Sequence, residues 1–278
     1  MVFCRGGILI VVLMVHLLAN AQTDTARSAQ TAFRIKTGTD IAMIGMIMAS
    51  SFTYLYWSEN DFHTFRQAAA LSVDDLPAVD QPYINIDREK AGWAITASDY
   101  LAYGSAALPL AALLTGDQQF SSLLTCGFIY AEGLALTAAV TANLKTLTDR
   151  PRPMAYSDSF TRTERTNDDA WRSMPSGHTA TTAYNTFFAA AMADRLIWRK
   201  DQTAWRIGTW TLAAGIPAVT GYLRMQAGKH FPTDVMAGYA LGAGMGLLIP
   251  FLHRNEYALQ VQPVSTSNCT GLHLQIQF

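Results

Sequence analysis

The chain has 278 residues, half of them hydrophobic and only 15% charged, with a formal net charge of −1. That charged fraction is well below the roughly 25% of an ordinary soluble domain, and so small a net charge gives no global field to draw in nucleic acid or an acidic partner. Nucleic-acid binding through bulk charge is excluded, any anion site has to be local, and the composition leans toward a membrane protein.

The first predicted element is an export signal. Arg5 precedes the apolar run ILIVVLMVHLLA, followed by the small-x-small site ANA and the polar stretch QTDTARSAQ. A basic residue, a short apolar core and small residues in that order predict a signal peptide over 1–21, cleaved after Ala21. The alternative is a retained anchor, for which the run is rather short. Cys4 leaves with the signal. Cys126, in an apolar run, and Cys269, in the polar tail, form no disulfide framework and are read as unpaired.

Six apolar stretches follow, at 41–57, 100–114, 121–144, 179–193, 207–223 and 235–252. Their length and their Ala, Gly and Leu content predict an all-α fold, a bundle of about six core helices packed closely through small residues. Several fall short of the ~20 apolar residues of a span, Glu132 interrupts the third and threonines dot the fourth. A soluble bundle therefore stays open beside an embedded one. Between the first two stretches lies a polar link, 58–98, with Pro77 and Pro82 and a short amphipathic helix around FHTFRQAAAL. The tail alternates apolar and polar residues (YALQVQPV, then GLHLQIQF), as a short C-terminal hairpin does. The chain divides into the signal (1–21), an N-terminal helix with its link (22–98), a core domain (99–253) and a tail (254–278).

Three polar islands break this pattern, and all fall at predicted helix ends. KTLTDRPRP, 145–153, holds Lys145 and Arg152, seven apart and on one side if the helix continues. MPSGHTATTAY, 174–184, puts Ser176 and Gly177 at a helix entry, where free N–H groups point at an anion and a glycine backbone approaches a ligand closely. His178 beside them titrates near neutrality. RMQAGKHFPTD, 224–234, holds Arg224, His230 and Asp234. Each island has a plain alternative: Lys145 and Arg152 as C-terminal helix cations, Ser176 and Asp234 as caps, His230 as a loop residue. Up-and-down helices bring all three to one end of the bundle. Three cations and a helix start suit a tetrahedral oxyanion, and two histidines with a carboxylate allow a nucleophile and an acid. A metal at this cage is not expected, since the cations repel it and one carboxylate is at hand.

K-x6-R-P, P-S-G-H and R-x5-H-x3-D in this order resemble the signature of the type-2 phosphatidic acid phosphatase superfamily, which also contains bacterial class A acid phosphatases and vanadium haloperoxidases. The likeness spans roughly residues 100–252. It implies a phosphoric ester or diphosphate hydrolase with the active site at one end of the bundle; no cofactor is expected from the residues. His230 would be the nucleophile that forms a phosphohistidine, Asp234 the residue orienting it, and His178 the acid and then the base. Lys145, Arg152, Arg224, Ser176 and Gly177 would hold the phosphoryl oxygens. One position departs: Leu223 stands where the superfamily usually has Ser.

The loop ADRLIWRKDQTAWR, with Arg195, Arg199, Lys200 and Arg206, is expected to stay in the cytoplasm. The site would then face the periplasm. A cleaved signal followed by three crossings would instead place Lys145 inside, unless 41–57 does not span or the bundle is soluble. The expected substrate is a lipid phosphate: phosphatidic acid, phosphatidylglycerol phosphate, undecaprenyl diphosphate and lipid A all fit. Alternatives are a soluble periplasmic acid phosphatase, a vanadium haloperoxidase and a non-catalytic lipid-phosphate binder.

Overall fold

The computed structural model describes residues 33–58, 68, 70–84, 88–115, 120–254, 258–266 and 269–277. The expected signal peptide and most of the amphipathic stretch at 62–71 lie outside the described residues. Helix α1 is Thr37–Ser58, α2 Arg88–Gly104, α3 Ala107–Thr115 and α4 Phe120–Thr148. Two short helices follow, α5 (Pro153–Tyr156) and α6 (Arg162–Thr166), then α7 (Gly177–Leu196), α8 (Thr203–Gln226) and α9 (Pro232–Leu252). The tail forms an antiparallel hairpin of β1 (Ala258–Thr266) and β2 (Cys269–Gln277), with Ala258 opposite Gln277. The fold is all-α, a bundle with one small hairpin.

The stretch at 100–114, expected as one helix, is two. Pro109 has no N–H to donate one turn back, so the chain breaks at Ser105 and restarts at Ala107, placing the proline in a first turn where that group is not needed. Ser105 Oγ donates to Ala102 at 2.7 Å and accepts from Asn185 Nδ2 at 2.9 Å. Helix α2 also begins at Arg88, well inside the stretch read as a polar link. Its buried stripe is Ala91, Ala94, Ser98 and Ala102, helically spaced but too small to register as an apolar run.

Helix α7 packs against α2, α3, α4, α8 and α9. Tyr184, Phe188 and Met192, four apart on its inner face, are fully buried with Ile129 of α4 and Ile249 of α9. Burying such a side chain contributes roughly 1.5–3 kcal/mol. Gly238 and Gly242 let α9 come close to α7: a Cβ at Gly238 would collide with the Ser176 carbonyl, and one at Gly242 with that of Ala180. This contact fixes the start of α7 beside the start of α9. Helix α1 lies along α4, where Asn143 Nδ2 donates to the Ser50 carbonyl at 2.7 Å. Two of these helices, α4 and α9, are long and apolar enough to cross a membrane.

Candidate active site

The three islands meet at one end of the bundle. Lys145 occupies the last turn of α4, a favourable place for a cation, and its Nζ donates to the carbonyls of Arg172 and Ser173 at 2.6 and 3.5 Å. The continuous helix expected to align Lys145 with Arg152 is not formed. Helix α4 stops at Thr148 and Asp149 takes a φ of 40°, so the chain turns. Arg152 returns by a different route: its N–H donates to Ala170 at 2.8 Å, and the Ser173 N–H donates to Arg150 at 2.9 Å. The Arg152 guanidinium is buried, donating to the Asp169 carbonyl and carboxylate at 2.5 and 2.6 Å and to the Lys229 carbonyl at 3.1 Å.

Ser176 is the N-cap residue of α7 but does not cap it; its hydroxyl shares a 2.9 Å hydrogen bond with Thr179 Oγ1. The first-turn N–H groups are therefore left to an anion. The Ser176 N–H donates to the Asp234 carbonyl at 2.9 Å, joining the second island to the third. Gly177 faces Lys145 and Thr141 with room to spare, since a Cβ there would stand 3.7 Å from either. His178 Nε2 lies 2.9 Å from Asp99 Oδ1, and Arg224 Nη1 donates to the same oxygen at 3.2 Å and to Ser98 Oγ at 3.3 Å.

His230 is 1% exposed, in the loop between α8 and α9. Burial and the adjoining charges of Arg152, Lys145, Arg224 and His178 hold its imidazole well below the ordinary histidine range. These surroundings favour the uncharged ring. Burial, then the Arg224 charge, pushes His178 down to about 4, against the opposing pull of Asp99.

Asp234 holds the start of α9 together. Its Oδ2 accepts from Ser173 Oγ at 2.5 Å and from the Phe231 N–H at 2.8 Å, and its Oδ1 accepts from Arg150 Nη1 at 2.5 Å. The orienting hydrogen bond expected from Asp234 to His230 is not formed: Oδ2 stands 3.8 Å from Nδ1, and Nδ1 has no partner.

Four contributors were missed from sequence. Arg150 links Asp234 to Asp80, donating to Asp80 Oδ2 at 2.6 Å, and Asp80 also accepts from the Thr233 hydroxyl at 2.7 Å. Asp99 and Asp169 neutralise the cage cations at its rim. A DRPRP run does signal a second arginine; nothing local marks Asp80, Asp99 or Asp169 as partners of the cations at this site.

Residues 127–257 match the family model of the PAP2 superfamily, and this segment contains all three islands. Over that segment the chain is similar to the phosphoric ester hydrolases of the PAP2 superfamily. The crystal structure of the first transmembrane PAP2 type phosphatidylglycerolphosphate phosphatase from Bacillus subtilis superposes with a TM-score of 0.46 and 16% identity, over 74% of this chain and 94% of that one. Comparison with curated proteins gives no significant match.

Proposed function

We propose that the chain hydrolyses a phosphate or diphosphate ester of a lipid through a phosphohistidine on His230, without a catalytic metal. The observation that carries this reading is the gathering of Lys145, Arg152 and Arg224 around one buried, neutral histidine. The His230 ring attacks phosphorus as the bond to the leaving oxygen breaks, and His178 gives that oxygen its proton. His178 then takes a proton from water, which attacks phosphorus, breaks the P–N bond and releases phosphate. The three cations, Ser176 and the Gly177 N–H hold the phosphoryl oxygens where negative charge builds up. Asp234 positions the loop carrying His230, and its Oδ2 stands ready beside Nδ1; catalytic hydrogen bonds commonly tighten when substrate binds.

The lipid assignment rests on the surface. Phe52 of α1, Tyr100 of α2, Leu114 of α3, Trp205 of α8 and Met236 of α9 are each 65–77% exposed. Apolar faces this extensive suit a bilayer better than water, with α4 and α9 as spans and the catalytic end away from Arg195, Arg199, Lys200 and Arg206. The test is turnover by purified protein on a panel of lipid phosphates and water-soluble esters, beside carbonate washing of membranes. Retention in the pellet and preference for lipid esters support the reading. Release as monodisperse protein with broad activity on soluble esters contradicts it and favours a soluble acid phosphatase.

A further inference from the structure

A second cluster of ionisable groups lies away from the catalytic end. Asp40 in the first turn of α1, Glu132 within α4 and His253 just past α9 are each fully buried, and their ligand atoms all fall within 4.8 Å of one another. Glu132 precedes Lys145 by 13 residues on α4, about 20 Å along the axis, so the catalytic cage does not use this group.

The hydrogen bonds of the cluster do not close. His253 Nδ1 lies 2.8 Å from the Ile249 carbonyl, which can only accept, so Nδ1 carries a proton. Nε2 lies 2.8 Å from Asp40 Oδ1 and 3.7 Å from Glu132 Oε2; it donates to Asp40 if the ring is protonated and turns a lone pair on both carboxylates if it is not. In the unprotonated case three acceptor atoms face one another, an arrangement that a bound cation relieves. Asp40 Oδ2 and both Glu132 oxygens have no hydrogen-bond partner. Lys36 feels the Asp40 charge yet leaves those oxygens unbonded. Buried unpaired carboxylates are strongly unfavourable.

We propose that Asp40, Glu132 and His253 bind a divalent transition ion, zinc or manganese, that clasps α1 to α4 and α9. Two carboxylates balance the charge of the ion, and one neutral imidazole completes a mixed N/O set that zinc and manganese accept and that hard oxygen-seeking ions favour less. Ligand atoms about 2.1 Å from a tetrahedral ion are about 3.4 Å apart, within the spread of the separations here. The Nδ1–H to carbonyl bond is the arrangement that fixes a ligating histidine. Asp40 lies outside residues 127–257, so the ion ties the N-terminal helix to the PAP2 segment.

Metal analysis of the full chain purified without chelator tests this, with thermal unfolding of stripped protein titrated with zinc or manganese chloride alone. Near-stoichiometric metal is expected, with a midpoint that falls on stripping and recovers on refilling. Glu132→Gln should weaken binding at least about 100-fold. Strongly sub-stoichiometric metal, with a midpoint indifferent to both ions, overturns the proposal, as does Glu132→Gln protein that retains wild-type metal. A more stable, metal-free Glu132→Gln protein would show that the two carboxyls share a proton instead. If that variant does not fold, stripping and refilling the wild-type chain decides.

Discussion

Asp99 Oδ1 lies 2.9 Å from His178 Nε2 and 3.2 Å from Arg224 Nη1. One carboxylate thus engages both the proposed acid and one of the proposed phosphate cations. An incoming phosphoryl group has to take Arg224 from it, and its own charge then raises the proton affinity of His178.

Asp99→Asn separates these effects. The variant removes a competing anion, so KM and the vanadate inhibition constant fall. It also removes the charge that holds the His178 pKa up, so the limb of kcat/KM set by the acid moves to lower pH. On a lipid ester kcat falls on the order of tenfold, the worth of about one pKa unit. An unchanged pH profile with unchanged KM would show that Asp99 serves neither group.

Leu223→Ser, which restores the superfamily's usual residue, destabilises the protein. Sequence alone predicts that this change is tolerated, since no catalytic atom is lost. The structure places Leu223 in a small core with Ala94 and Ala227, between α2 and α8. Truncating such a side chain costs about 2–4 kcal/mol. Thermal unfolding should show a lower midpoint, with kcat unaltered well below it. A higher kcat at an unchanged midpoint would mean the serine hydroxyl supports Arg224 after all.

Gly177→Ala tests whether substrate reaches the backbone of α7. The added Cβ meets Lys145 Cε and Thr141 Cγ2 at ordinary contact distance, 3.7 Å, and alanine is the better helix former. Stability should hold or rise while KM increases and kcat falls. Wild-type kinetics would place the phosphoryl group away from this turn.

What could be read from sequence, and what could not, follows from where the information sits. The islands were legible because Lys145, Arg152, His178, Arg224 and His230 are costly groups to place at the ends of apolar helices, and their residue types state their chemistry. The main helices were legible from apolar runs. Helix α2 was not, because Ala91, Ala94, Ser98 and Ala102 bury its face through small size, while Trp93 and Tyr100 point outward. Asp99 was lost along with that helix. Asp80 and Arg150 are 70 residues apart, and no local pattern reports such a pairing. The turn at Asp149 depends on a backbone angle that the spacing of Lys145 and Arg152 conceals.

Chelation should leave hydrolysis intact, because Lys145, Arg152 and Arg224 provide the charge that stabilises the transition state. Vanadate, a mimic of the pentacoordinate phosphoryl group, should inhibit. EDTA should lower the unfolding midpoint through the Asp40 cluster without slowing turnover measured below that transition. Activity lost on chelation at an unchanged midpoint, and restored by a divalent ion, would falsify the metal-free cage.

The most direct measurement is rapid-mix kinetics of His178→Ala and His230→Ala on two leaving groups. His230→Ala lacks the nucleophile and should give no burst and no turnover on either. His178→Ala lacks only the acid and base. On an alkyl lipid ester it should lose on the order of 10²–10⁴-fold, since a basic alkoxide needs the proton. On a nitrophenyl ester the leaving group departs unaided, so a burst of nitrophenol should be followed by slow hydrolysis of the phosphohistidine. A burst retained by His230→Ala, or lost equally from His178→Ala with both leaving groups, would contradict the two roles assigned to these histidines.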